Sequence, residues 1–308
     1  MKNKKRNMYD VIIIGGGPAG ITAGIYVARK RLKAVLITKD FLGQAGFTGR
    51  IENWPGEKRV QGPELMRKFE EHLKEYEIDI REEEVVSVNK NESFSVKTKE
   101  SNFEAKCVIF ASGRKPKPLG ITGEEEFVGK GVAYCTTCDA PFFKDKKVMV
   151  VGGGNAGFES AIELTDYAKE VFLYEFASDF SADEFLQEQA KEKGIELRTG
   201  VELKEIKGGD FVEKVRYKDK KNENEEEIDV DGVFVEIGSL PVTSPVESLV
   251  DTNSQGDVEI NPHNNMTKTE GLFAAGDVTT IMGKQIVIAA GEGAKTALAA
   301  YKYIKNNY

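Results

Sequence analysis

One short pattern occurs twice and limits what this chain can fold into more than any other feature. An apolar, β-branched run ends directly in Gly-x-Gly-x-x-Gly and then turns helical. The first copy runs Tyr9-Asp10-Val11-Ile12-Ile13-Ile14 into Gly15-Gly16-Gly17-Pro18-Ala19-Gly20. Helically spaced apolar residues follow from Ile21 to Arg29, then a second run, Ala34-Val35-Leu36-Ile37. The glycine motif recurs 137 residues later in the second copy, which runs Lys147–Val151, Gly152-Gly153-Gly154-Asn155-Ala156-Gly157, a helix pattern from Phe158 to Ala168, and Val171–Glu175. A short, wholly apolar strand is one buried on both faces, as in a parallel sheet. In such a βαβ unit the first glycine makes the tight turn and the second lets the backbone approach a pyrophosphate. The third lets helix and strand pack closely, with the phosphates on the helix N-terminus. One motif of this kind is weak evidence; two in matching contexts point to dinucleotide binding.

Each copy closes on a similar segment. Val108-Ile109-Phe110-Ala111-Ser112-Gly113 leads to Arg114 and Pro116, and Val233-Phe234-Val235-Glu236-Ile237-Gly238 leads to Pro241. Glycine and proline clusters of this kind mark crossings between domains. The tail, Gly271–Asp277 followed by a helix pattern from Gln285 to Ile304, matches neither opening unit and is expected to return to the first. The expected architecture is α/β, with two Rossmann-like, three-layer dinucleotide-binding domains, the second inserted into the first. Residues 1–115 and 246–308 form the discontinuous first domain, and 116–245 form the second.

Composition narrows the function classes. Forty-three Lys and Arg against 51 Asp and Glu leave a formal charge of −8, which argues against a nucleic-acid grip by bulk positive charge. The apolar runs have strand length, whereas a membrane span needs ~20 residues. The apolar run after the basic start Met1–Arg6 stops at Ile14, so no signal peptide is expected. Three cysteines do not make a secreted disulfide framework, and the expected location is cytoplasmic. The charged stretches Arg81–Glu84 and Lys218–Asp229 read as solvated strand ends or a hairpin tip. His72 and His263 read as surface histidines, and no metal site is expected.

The chemistry concentrates at Cys135-Thr136-Thr137-Cys138-Asp139. Two cysteines at this spacing can form a strained, labile disulfide, and the spacing lowers a thiol pKa. Asp139 could exchange a proton with the leaving thiolate. Half a zinc site or two inert thiols are the competing readings, and zinc has only Cys107 and two remote histidines left to complete it. Cys107, just before the Val108–Ala111 run, reads as a buried packing residue.

Glu175 ends the second strand of the second copy, 18 residues after Gly157, where a carboxylate hydrogen-bonds the adenosine ribose. Phe176 to Ala182 contains no arginine or lysine, so a 2′-phosphate would meet a carboxylate and no cation. This favours NADH over NADPH. In the first copy Asp40 is the candidate for the same role. Two nucleotide domains suggest one nicotinamide delivering hydride to one flavin.

Together these residues resemble a low-molecular-weight thioredoxin reductase, from about Tyr9 to Ile304. The resemblance is carried by Gly15–Gly20, Ile51-Glu52-Asn53-Trp54-Pro55-Gly56, Cys135–Asp139, Gly152–Gly157, Ala275-Gly276-Asp277 and Lys284-Gln285-Ile286. It implies FAD bound by Gly15, Gly17, Pro18, Ala19 and Gly20, with Asp40, Gln44, Asn53, Val85, Ala111, Gly113, Asp277, Gln285 and Ile286. It implies a pyridine nucleotide on Gly152, Gly154, Asn155, Ala156, Gly157, Glu175 and Gly238. Cys138 would be the thiol nearest the flavin, Cys135 would attack the substrate disulfide, and Asp139 would be the acid–base group. The family is homodimeric, and its inserted domain rotates about crossings that correspond to Arg114–Leu119 and Gly238–Pro245. NADPH-dependent members carry a His-Arg-Arg cluster and a further arginine after the second nucleotide strand, and the stretch here, Tyr174-Glu175-Phe176-Ala177-Ser178, lacks them. The Glu-Phe-Ala run is instead similar to the NADH-dependent flavoprotein component of alkyl hydroperoxide reductase. That relative has an extra thioredoxin-like N-terminal region, and here the first glycine motif starts at Gly15. The flavin loop reads Leu42-Gly43-Gln44 where the family has Gly-Gly-Gln. The resemblance implies a separate dithiol protein as acceptor: thioredoxin, a glutaredoxin-like protein or a peroxiredoxin-linked one. A ferredoxin-linked flavoprotein or a redox sensor of the same architecture is the alternative.

Overall fold

The computed structural model describes residues 8–46, 50–51 and 53–308, and the side chains of Arg50, Thr137 and Cys138 lie outside that description. The chain divides into two compact units, Met1–Lys115 with Leu240–Tyr308, and Pro116–Ser239. The return crossing comes earlier than the expected 245/246 boundary. Its cause is local: the Val242 N–H donates to the Gly113 carbonyl at 3.1 Å and the Ser112 hydroxyl to the Val242 carbonyl at 2.7 Å. Those bonds fasten Val242 to the first unit. The outgoing Arg114–Pro116 and returning Ser239–Pro241 segments pair as a two-stranded ribbon.

In the first unit, strands Asp79–Glu82, Ala34–Thr38, Tyr9–Ile14, Asn102–Phe110 and Leu272–Ala274 lie side by side and parallel. The two faces of Tyr9–Ile14 separate the layers, because alternate residues of a strand point to opposite faces. Val11 and Ile13 pack with Ile21, Ile25, Met66, Leu73 and Ala300 from the helices Pro18–Arg29, Gly62–Lys74 and Ile286–Asn307. Ile12 and Ile14 pack with Val88, Phe94 and Val96 of the antiparallel strands Val85–Lys90 and Phe94–Thr98. The long strand Asn102–Phe110 serves both systems: its first half pairs with Phe94–Thr98 and its second half with Tyr9–Ile14.

The second unit repeats this plan. Its parallel sheet runs Val132–Ala133, Gly232–Val235, Lys147–Val151, Glu170–Glu175, Glu196–Thr199. Val148 and Val150 face helices Asn155–Leu164 and Glu184–Glu192, while Met149 and Val151 face the strands Val201–Gly208 and Val212–Asp219. The third antiparallel strand is Glu225–Asp229, and residues 220–224 form the hairpin tip expected of that charged run. The fifth parallel strand has different origins in the two units. The first takes it from the tail, the second from Val132–Ala133, a two-residue strand too short to read from periodicity. No described helix is long and apolar enough to cross a membrane.

Candidate active site

The two glycine turns have the same construction. Gly15 has φ +117° and Gly152 φ +126°, and a Cβ on either would come within 2.1 or 2.2 Å of the carbonyl oxygen of Ala111 or Glu236. A Cβ on Gly20 or Gly157 would come within 1.9 Å of the carbonyl oxygen of Gly15 or Gly152. The fold itself therefore demands the first and third glycines. It does not demand the second. Gly17 and Gly154 have ordinary φ of −79° and −89°; a Cβ on Gly17 would meet nothing within 4 Å, and one on Gly154 only Ser181 Oγ at 3.7 Å. Space kept open beside a helix N-terminus, where nothing in the chain needs it, suits a pyrophosphate at both turns. Pro18 opens its helix at a position whose N–H has no intrahelical partner anyway.

Around the first turn the structure gathers most of the expected flavin residues. A Cβ on Gly43, beside Gln44, would lie 3.3 Å from the Gly17 Cα. Ala19, Ala111, Ala275 and Ala289 form one buried cluster, and a Cβ on Gly276 would meet the Ala19 Cβ at 2.9 Å. Asn53 Nδ2 donates to Gln285 Oε1 at 2.9 Å, joining two candidates 232 residues apart. Ile286 packs against Ile51, Val60 and Leu65. Asp277 is half-buried, and burial pushes its carboxyl pKa up against the opposing pull of Lys284 and Arg114. Arg114 donates to the Asp257 carboxylate and to the Asp277 carbonyl. Gly113 has φ +67° with open space beside it, and Val85 begins the strand Val85–Lys90. Asp40 lies past the position that matches Glu175. Ile14 pairs with Ile37 as Val151 pairs with Tyr174, so Thr38 is the counterpart of Glu175. Asp40 Oδ1 accepts the N–H groups of Leu42 and Gly43 at 3.0 and 3.2 Å.

At the second turn, Glu175 accepts the Gly153 N–H on one oxygen and the Ala177 N–H, at 2.7 Å, on the other. Its carboxylate is thus fixed beside the glycine turn. Asn155 exchanges two hydrogen bonds with Asp183, at 3.0 and 2.8 Å, while Ala156 is exposed. Gly238, φ +91°, accepts the Lys117 N–H at 2.9 Å. One expectation needs correction. The stretch after Glu175 holds no lysine in sequence, but Lys220 reaches it from the hairpin tip. Its Nζ sits 3.6 Å from the Phe176 ring centroid and 3.3 Å from the Phe176 carbonyl. Contiguity in sequence could not show this, because the hairpin arrives through tertiary pairing: the Gly200 N–H donates to Ala177 and the Lys220 N–H to Gly200.

The cysteine segment forms the single helical turn Thr136–Asp139 directly after Val132–Ala133. By strand register it stands where the first unit has its Gly276–Val278 turn, the one bearing Asp277. Cys135 is half-buried and disulfide-bonded; the Cys138 side chain lies outside the described residues. Burial raises the Asp139 carboxyl pKa, and the Asp139 N–H donates to the Cys135 carbonyl at 3.2 Å. Among the described residues, the neighbouring buried Thr136 hydroxyl has no hydrogen-bond partner. Cys107 is a buried free thiol whose pKa burial drives upward, so it is an inert packing residue as expected. His72 and His263 are exposed, and no metal-binding cluster occurs among the described residues.

Known proteins match this arrangement. The family model "Pyridine nucleotide-disulphide oxidoreductase" matches residues 9–300. The F component of alkyl hydroperoxide reductase from Staphylococcus epidermidis is 40% identical over 98% of this chain, which spans 60% of that relative's length. Thioredoxin reductase from T. acidophilum aligns at 34% identity and TM-score 0.89 over 96% of this chain and 99% of its own. The Lactococcus lactis enzyme aligns at 35% identity and TM-score 0.91, over 97% and 99%. Two Rossmann-like units, two open glycine cradles and a cysteine turn within the second unit agree with those matches, and the chain belongs to the pyridine nucleotide-disulphide oxidoreductase family.

Proposed function

We propose that this chain is a thioredoxin reductase-like flavoenzyme that uses NADH in preference to NADPH to reduce a disulfide of a small dithiol protein. Its own working group is a disulfide between Cys135 and Cys138. The observation that carries the reading is the placement of the cysteine turn inside the pyridine-nucleotide unit, with an acid of raised pKa directly after it. FAD, on the first unit, and NADH, on the second, would supply two-electron transfer when bound. Two electrons open the disulfide to two thiolates, one of which takes up a proton to become a thiol while the other stays nucleophilic. Asp139, directly after the turn, is placed to deliver that proton: burial raises its carboxyl pKa. Cys135 then attacks the partner disulfide, and Cys138 resolves the mixed disulfide. The acceptor is thioredoxin, a glutaredoxin-like protein or a peroxiredoxin-linked protein, and the enzyme works as a cytoplasmic homodimer. NADH preference rests on Glu175, whose carboxylate repels a 2′-phosphate; Lys220 partly offsets that repulsion while occupied with Phe176.

A ferredoxin-linked flavoprotein is the competing reading, and a Clostridium acetobutylicum ferredoxin-flavin thioredoxin reductase aligns at 30% identity and TM-score 0.54. The open cradle at Gly154 and the fixed Glu175 favour a pyridine nucleotide. The test is steady-state oxidation of NADH and NADPH with a thioredoxin disulfide as acceptor. Cys138→Ser is expected to keep its flavin and lose acceptor turnover. Unchanged turnover in that variant defeats the mechanism, and equal use of both nucleotides by the wild type defeats the preference.

A further inference from the structure

The two glycine turns allow a comparison inside one molecule. A Cβ on Gly20 would meet the Ala111 Cβ at 3.6 Å, and one on Gly157 the Glu236 Cβ at 3.7 Å, so Ala111 and Glu236 hold equivalent places. Almost one helical turn further on, Ala23 and Ser160 are likewise equivalent, and both are buried. The first unit therefore has two alanines where the second has a hydrogen-bonded pair: Ser160 Oγ donates to Glu236 Oε1 at 2.9 Å. The first unit demonstrates that this fold needs no polar pair here. Burying a carboxyl against a helix is costly, so the pair answers to something other than packing.

Its location indicates what that is. Glu236 follows the strand Gly232–Val235, which pairs with Lys147–Val151 on one side and Val132–Ala133 on the other. From Lys147–Val151 the chain moves outward through Glu170–Glu175 to Glu196–Thr199, then returns to Gly232–Val235 on the opposite side. The gap between Lys147–Val151 and Gly232–Val235 is thus the topological switch point, where open α/β sheets take their ligands. We propose that Ser160 and Glu236 form a proton-linked contact for the pyridine nucleotide. Glu236 meets the nucleotide as the neutral acid, and binding transfers a proton from solvent to its carboxylate.

Electrostatics support this geometry. Burial raises the Glu236 pKa to about 7 even with the Ser160 hydrogen bond opposing it. The charged groups around it are acidic. Glu159 and Glu163 on the same helix raise it further, and Glu159 is itself raised by burial and by Asp183 at the head of Glu184–Glu192. Glu175 ends the next strand, with both oxygens on backbone N–H groups, and Asp139 lies on the cysteine turn that packs against the helix. An ionised Glu236 would add one more negative charge at a site meant for a pyrophosphate; the neutral acid removes it and offers a donor.

This inference rests on the reading that the second unit binds a pyridine nucleotide, and calorimetry separates the two. NAD⁺ is titrated into the holoenzyme from pH 5.5 to 8.5 in buffers of different ionisation heat. The wild type is expected to lose affinity by about tenfold per pH unit above neutrality, with proton uptake approaching one per nucleotide. Glu236→Gln should show a flat profile and no uptake. The double variant Ser160→Ala, Glu236→Ala copies the Ala23–Ala111 pair and should behave likewise, and it decides the matter if the glutamine variant does not fold. Tight but pH-independent binding in the wild type, or a slope that survives in the variants, overturns the proton link alone. Absence of NAD⁺ binding at every pH overturns both the link and the nucleotide reading.

Discussion

At the residue scale, each glycine motif separates what the fold requires from what a ligand requires. Gly15 and Gly20 abut backbone carbonyls, so a methyl group at either has no room. Gly17 could carry a methyl group as far as the chain is concerned. Gly15→Ala is therefore expected to destabilise the flavin-stripped protein by more than about 2 kcal/mol, through a positive φ and a clash with backbone. Gly17→Ala should leave the stripped protein within about 1 kcal/mol of wild type while weakening flavin retention at least tenfold. Thermal melts with and without flavin check both, and equal destabilisation by the two would mean that Gly17 is structural. The motif spacing assigns the three roles, and the local geometry adds that the first and third glycines have no room for a Cβ while the second has. Burial adds to the contrast between Cys107 and Cys135: the Cys107 thiol is locked behind the Asp10 carbonyl, while Cys135 is half-buried and disulfide-bonded.

At the scale of elements, strand register decides which side chain reaches a ligand. Counting residues from the glycine motif singles out Glu175, whose carboxylate two backbone hydrogen bonds hold beside the glycine turn. The same counting is ambiguous in the first copy, where register puts Thr38 opposite the turn and Asp40 beyond it. It also fails for Lys220, which a hairpin carries to Phe176. Replacing Glu175 and Phe176 with arginines should raise affinity for NADPH relative to NADH by ten- to a hundredfold, because a repelling carboxylate becomes a bidentate phosphate partner. Parallel titrations with the two nucleotides measure it; an unchanged ratio would mean that the strand end does not face the 2′ position.

For the whole molecule, the two crossings fix how one unit is threaded into the other. Hydrogen bonds between residues 113 and 242, and between 117 and 238, put Lys115 opposite Leu240 on an antiparallel ribbon. Joining Lys115 to Leu240 through Asn-Gly, a hairpin turn, should yield a first unit that folds cooperatively and retains flavin without oxidising NADH. Circular dichroism and the flavin spectrum test this, and a colourless or unfolded product would mean that the first unit depends on the insert. Apolar strands, glycine spacing and the crossing prolines are local, and local patterns specify local structure, so the sequence by itself determined the βαβ repeats, the nested order and the cysteine motif. The antiparallel layers were not legible: Val85–Lys90 and Val201–Gly208 mix charged and apolar residues, and only packing on Ile12, Ile14, Met149 and Val151 selects them. What tertiary structure alone decided are the long-range meetings. Asn53 joins Gln285, the cysteine turn takes the place of the Asp277 turn, and Ser160 reaches Glu236. Each depends on strands distant in sequence being set about 5 Å apart by backbone hydrogen bonds, a distance that no window of neighbouring residues contains.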